Sequence, residues 1–275
     1  MPLTEESAAN TWRSLETGLR CENWLRAAAL LAGSGVLTDE RRARMDASLT
    51  QHGEHLVRSY DTFHKLSNWG ILQDNGLYLL GLYLGRQDWC ALAARRMDEN
   101  LHRSVFADGS QWEQSPLYHC EVLHSALNTL HYAQAAGQTL PDRMVENIRR
   151  MCAALAKWCK PNGELLLQSD SDTVDTRDLL VLGAALLDDA DLYACGGGQF
   201  WEENLWDLAS RPRRFGLPAR QESSRLPPLL CPTAETICYA VRTKALYICT
   251  AAASVPATAM PTFCILTRAL PVRMC

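Results

Sequence analysis

Along the first 210 residues apolar positions recur at helical spacing. Trp12, Leu15, Leu19, Trp24, Leu25 and Ala28 share one face of a helix predicted over 12–31. Gly33-Ser34-Gly35 breaks it. Thr38-Asp39-Glu40 then reads as an N-cap and acidic first turn for a helix running to about Tyr60. The pattern predicts further helices over 68–84, from the turn at 85–88 to about Val105, and over 115–136, 141–160, 176–187 and 200–209. Asp108-Gly109-Ser110, Pro161-Asn162-Gly163 and Cys195-Gly196-Gly197-Gly198 punctuate them. No convincing β-run precedes residue 220. Several helices, such as Leu77 to Leu84, are apolar on more than one face, so they must pack on more than one side. A ring or solenoid of helical hairpins does that. The hairpins share no clear repeat, which argues against a regular solenoid.

Composition narrows the classes. The chain has 275 residues, 47% of them hydrophobic, enough for a core and too much for global disorder. The formal charge of −4 argues against a nucleic-acid or anionic-membrane surface. No run of about 18 uncharged apolar residues exists to cross a membrane. The start, Met1-Pro2-Leu3-Thr4-Glu5-Glu6, is polar and acidic, unlike a secretory signal, so a cytoplasmic location is expected. The 11 cysteines are irregularly spaced without a Cys-x-x-Cys, which predicts free thiols rather than a zinc site or disulfide framework.

Three segments carry candidate chemistry. Ser67-Asn68-Trp69-Gly70 opens a helix, where Asn68 reads as a plain N-cap or as a site residue. Asp108 to His119 is a dense polar and aromatic loop entering another helix. Ser115-Pro116 there can be an N-cap followed by Pro at the first position, but Glu113, Tyr118 and His119 exceed what a cap needs. Gln168 to Asp175 holds Asp170, Asp172 and Asp175, either a cation or sugar-hydroxyl site or a solvated loop; it lacks the glycine and terminal glutamate of an EF-hand. His124 and His131 lie seven apart on a helix, where a packed or solvated role is expected rather than metal ligation.

Thr11 to Arg20 followed by Asn23-Trp24-Leu25, Asn68-Trp69, the loop from Asp108-Gly109 to Tyr118-His119, and Asp170-Ser171-Asp172 together resemble the heparinase II/III family of polysaccharide lyases over roughly residues 10–210. The resemblance implies a mainly α fold: an incomplete (α/α) toroid of helical hairpins over residues 1–212, with linker and tail over 213–275 in place of the family's β-sandwich. It implies β-elimination on a uronate-containing acidic polysaccharide of heparan, alginate or related type. Asn68 would neutralise the uronate carboxyl, and Tyr118 would be the acid and on some substrates the base. Trp69, Glu113, His119, Asp170 and Asp172 would line the substrate. No metal site or cofactor is expected, because the family's metal ligands, like its further catalytic histidine, come from the β-domain. A non-catalytic carbohydrate-binding or scaffold protein is the alternative. So is a toroid glycoside hydrolase, which would need Glu113 opposite Asp170 or Asp172.

The vocabulary changes abruptly after residue 210. All seven histidines lie at or before His131, no Asp follows Asp207, and five of the 11 cysteines fall in the last 45 residues. The family's β-domain carries text resembling Gly-His-Gly-His-Ala-Asp, which is missing. Read one base out of phase, the codons of Pro256 through Thr262 permit that sequence, and those of Cys231 to Val241 permit a β-strand opening in the same phase. A frameshift between about Glu222 and Cys231 is therefore expected, with non-native text beyond it. The toroid also starts later than the family's usually does. The chain is expected to be an inactive or weakly active fragment.

Overall fold

The computed structural model describes residues 11–202 and 204. The expected tail, the boundary at 212 and most of the helix predicted over 200–209 lie outside the described residues. Those residues form eight helices: α1 (Ser14–Leu31), α2 (Asp39–Arg58), α3 (Asn68–Tyr83), α4 (Gln87–Ser104), α5 (Pro116–Ala135), α6 (Asp142–Trp158), α7 (Arg177–Leu187) and α8 (Ala190–Cys195). Seven match the expected elements. The short α8 was not expected, because the glycine run beginning at Gly196 masks the single turn before it; Asp189 caps it, its carboxylate accepting from the Asp191 and Leu192 amides.

The helices alternate in character, and the alternation sets the architecture. In α3 all but three residues are buried, including Gln73, Asp74 and Asn75. Helices α5 and α7 are likewise apolar on several faces. By contrast α2, α4 and α6 carry one apolar stripe and a charged outer face. Accordingly α1, α3, α5 and α7 pack side by side as an inner layer, and α2, α4, α6 and α8 back them from outside. This is the helical-hairpin arrangement of an (α/α) toroid. The closest approach is between α1 and α3: a Cβ on Gly76 would lie 2.5 Å from the Gly18 carbonyl oxygen, so only glycine allows the two backbones to touch.

A buried polar seam fixes the inner layer. The Asn75 amide donates to Glu22 (2.8 Å), whose other oxygen pairs with Arg26 (2.8 Å). Asn128 and Thr129 of α5 both donate to the Asn75 carbonyl oxygen at 3.0 Å. Helices α1, α3 and α5 are thereby held in one register, since leaving any of these groups unpaired would cost about 1–3 kcal/mol.

Short loops join each inner helix to the outer helix after it. Three longer connections, 59–67, 105–115 and 159–176, return to the next inner helix and so gather at the N-terminal end of the inner layer. Isolated antiparallel bridges shape two of them: Val105 with Gln111, Cys159 with Leu165, and Glu164 with Asp175. The six described cysteines are all free thiols, and four of them are buried.

Candidate active site

All three candidate segments fall on those returning loops. The first is built around the start of α3. Ser67, not Asn68, occupies the N-cap position, and Asn68 is the first helical residue. Its side chain therefore does not cap. The Asn68 amide instead donates to both carboxylate oxygens of Glu113, at 3.2 Å each. A contact shared in this way uses one N–H and leaves the second for another acceptor. Trp69 is half-buried beside it, edge-on to Phe63 at 5.3 Å, with the Arg13 guanidinium over its ring at 5.3 Å.

The second segment is a rigid loop. Glu113 also accepts from Gln111 Nε2 at 2.7 Å, and the Glu113 amide donates back to Gln111 Oε1 at 2.9 Å. Trp112 Nε1 donates to the Leu66 carbonyl at 2.6 Å, tying this loop to the first. Ser115 is the expected N-cap of α5: its hydroxyl accepts from the Tyr118 amide. The same hydroxyl donates to the Asp170 carbonyl at 2.6 Å, which ties the second loop to the third. Ser171 Oγ receives the Leu117 amide at 3.2 Å. Finally, the Tyr118 hydroxyl donates to the Asp170 carboxylate.

The structure thus makes two couples, Asn68 with Glu113 and Tyr118 with Asp170, and stitches them together through residues 111–118. The other predicted residues fare differently. Asp172 is exposed and makes no side-chain hydrogen bond among the described residues. Asp175, three positions on, pairs with Arg177 at the start of α7. His119 points inward. It is 1% exposed, its Nε2 faces the Met151 carbonyl at 3.0 Å, and its ring meets Trp158 edge-on at 4.8 Å. A carbonyl can only accept, so Nε2 carries the proton and the buried Nδ1 is a lone-pair acceptor without a partner. Burial lowers the His119 pKa from 6.5 to about 4, against a smaller opposing effect of the Met151 carbonyl. His119 is therefore neutral at pH 7.

Glu113 and Asp170, the carboxylates a hydrolase would need, are each already engaged, one by two amides and the other by a phenol. Glu121, one turn along α5 from Tyr118, was not singled out in the sequence. Burial raises its pKa, opposed by the nearby His124. Its signal, a carboxylate on the inner face of an apolar helix, was present in the text. Another unforeseen cluster is Ser14, His64 and Asp61. His64 Nε2 lies 2.5 Å from the Ser14 hydroxyl and its Nδ1 2.7 Å from Asp61. Ser14 and His64 are buried, and the Asn100 amide holds the His64 carbonyl at 3.1 Å, so the cluster clamps the 59–67 loop onto α1.

Among the described residues, no group of three or more His, Cys, Asp or Glu side chains could hold a metal ion, and no helix is long and apolar enough to cross a membrane.

Comparison with known proteins agrees with this arrangement. The solved structure of a heparinase III superposes with a TM-score of 0.60 at 18% identity, covering 72% of this chain and 33% of that one. The chain thus spans about one third of that protein's length, and the likeness is one of fold. No curated protein matches the chain by sequence. The Heparinase II/III N-terminus family matches residues 2–184, a span that includes α1 through most of α7 and all the side chains of both couples. The chain belongs to the heparinase II/III family.

Proposed function

We propose that the chain carries the toroid half of a polysaccharide lyase site that cleaves uronate-containing acidic polysaccharide by β-elimination. The observation that supports this best is the pair of couples on one stitched loop: an amide with a spare donor at Asn68, and a phenol hydrogen-bonded to a carboxylate at Tyr118.

The reaction breaks the C5–H and C4–O bonds of the uronate and forms the C4–C5 double bond. Loss of the C5 proton places charge on the carboxyl group, and the spare Asn68 N–H stabilises that charge as it develops. Glu113 holds the amide in place for it. Asp170 can take the phenol proton as Tyr118 Oη receives the proton from C5. Tyr118 then passes a proton to the departing O4, and Asp170 returns its own. The cycle balances without any group outside the described residues. The family resemblance implies a further histidine at the site, and no histidine follows His131 in this sequence, so slow turnover is expected of this chain alone.

The test is prolonged incubation with heparan-type and alginate-type polysaccharide. The expected result is unsaturated product, seen by its ultraviolet absorbance, that is lost in Asn68→Ala and Tyr118→Phe. New reducing ends without that absorbance would instead show a hydrolase. Sugar binding with no product, unaffected by either substitution, would show a binding protein.

A further inference from the structure

Outside the inner layer, α2 and α4 enclose a groove of about 640 Å³, none of whose residues belongs to the three loops that carry the site. Its volume lies within the range of about 300–1,000 Å³ typical of small-molecule sites. Gly53 brings α2 against the buried Trp89 of α4, since a Cβ there would fall 2.0 Å from the indole ring. Beyond that contact Val57, Ala91 and Leu92 line the groove with apolar surface.

The charges on its walls are three arginines and two carboxylates, an excess of one positive charge on a chain whose formal charge is −4. Two of the arginines have partners. Arg86 donates to both Asp88 oxygens, at 2.9 and 2.6 Å, and lies over the Trp89 ring at 4.3 Å. Arg58 faces Glu54 at 3.6 Å. Arg95 is exposed and makes no hydrogen bond or ion pair among the described residues.

The sequence of α4 explains why Arg95 is left over. One turn on, Asp98 is held by Arg143 and Glu99 faces Arg103. One turn back stands Ala91, which offers no acceptor. Its neighbour Arg96 turns inward to the buried Asp74 and to the Leu56 and Val57 carbonyls, so the negative end of α2 is already satisfied and does not draw Arg95 in. A free guanidinium beside apolar surface presents a planar fork of donors suited to a carboxylate or sulfate. The exposed oxygens of Glu54 and Asp88 stand on the same walls and can accept from hydroxyls. A bare anion would use only the first of these features, and a neutral sugar only the others. An acidic sugar uses all of them: its carboxylate or sulfate on Arg95, its C–H face on Val57, Ala91 and Leu92, its hydroxyls on the two carboxylates. Arg58 ends α2 immediately before the 59–67 loop that leads to Asn68, so one end of the groove adjoins a loop of the site.

We infer that this groove is a second binding site, outside the site of reaction, for an acidic sugar unit of the polysaccharide, with Arg95 as its anchor. The choice of occupant rests on the lyase reading above; the groove itself does not. Its effect is to hold a long chain to the protein while another stretch of that chain occupies the loops of Asn68 and Tyr118.

The test is NMR titration of the isotopically labelled full chain, read from the Arg95 Nε–H and Leu92 amide signals. The probe is a hexasaccharide alternating glucuronate with N-acetylglucosamine. Three controls are inorganic sulfate, a neutral N-acetylglucosamine hexamer and hexaglutamate. Both signals are expected to shift saturably with the probe, at least about tenfold more tightly than with any control. Arg95→Glu, and Ala91→Glu, which supplies the missing carboxylate four residues before Arg95, should each weaken this binding at least about tenfold with the thermal midpoint kept. Raising the salt to 0.5 M should weaken it likewise, because the pairing is exposed. No shift at either signal, or an affinity unchanged in both variants, overturns the groove site. Equal binding of hexaglutamate overturns the sugar as its occupant and shows a groove for acidic peptide. If unsaturated product forms while these signals stay still, the lyase reading stands without the groove; if they shift as expected and no product ever forms, the groove stands without the lyase.

Discussion

His119 follows the proposed acid of the reaction by one position, yet its surroundings make it part of the core, and this difference is measurable. Unfolded, it would titrate near 6.5; folded, burial brings it to about 4. Between these values the unfolded chain binds more protons than the folded one, so stability falls as pH drops through this window and is fully present above it. At pH 5 nearly every unfolded His119 carries the proton, against about a tenth in the folded state, which corresponds to about 2 kcal/mol. His119→Gln removes the titration and keeps an N–H that can reach the Met151 carbonyl. Its cost independent of pH cancels when the same variant is compared at two pH values. The contributions of His52 and His55, whose pKa values burial also lowers, change with pH but are shared by both proteins, so they cancel between wild type and variant at each pH. Urea unfolding followed by tryptophan fluorescence at pH 7 and pH 5 should show the wild type losing about 2 kcal/mol more than the variant on acidification. A difference between the two proteins that stays the same at both pH values, within about 0.5 kcal/mol, refutes the neutral buried state. His119 would then be free to act as a proton donor toward substrate.

Other consequences are as direct. Gly76→Ala places a methyl group against the Gly18 backbone and should cost about 1–3 kcal/mol, read as a lowered thermal midpoint. Asp170→Asn keeps an acceptor for the Tyr118 hydroxyl but cannot take its proton; turnover should fall about 100-fold while oligosaccharide affinity stays within twofold of wild type. Ser14→Ala leaves His64 Nε2 without its buried partner and should lower unfolding stability by about 1–3 kcal/mol. A fluorophosphonate probe should leave Ser14 unlabelled in the wild type, whereas stoichiometric labelling would show that the Ser14–His64–Asp61 cluster acts as a nucleophile and not as a clamp.

What the sequence made legible follows from how local each signal is. Helix periods and the Ser115-Pro116 start of α5 are set by residues within a few positions of one another, and they read correctly. So did the ring of hairpins, because α3 is too apolar to have a solvent face. The two readings of Asn68, cap or site residue, show the limit. Ser67 and Asn68 are both good N-caps, and what decides between them is Glu113, 45 residues away, which draws the Asn68 amide off the helix end. Long-range pairing of this kind has no periodic trace in the text. The same holds for Ser115, a plain N-cap in the sequence, whose hydroxyl also reaches across to the Asp170 carbonyl. The inward turn of His119 was within reach: on α5 it stands one position from Cys120 and four from Leu123, on the side that a helix of this period buries. The polar seam of Glu22, Asn75 and Asn128, which sets the packing of α1, α3 and α5, is likewise a set of contacts between distant positions that leaves no trace in the local pattern.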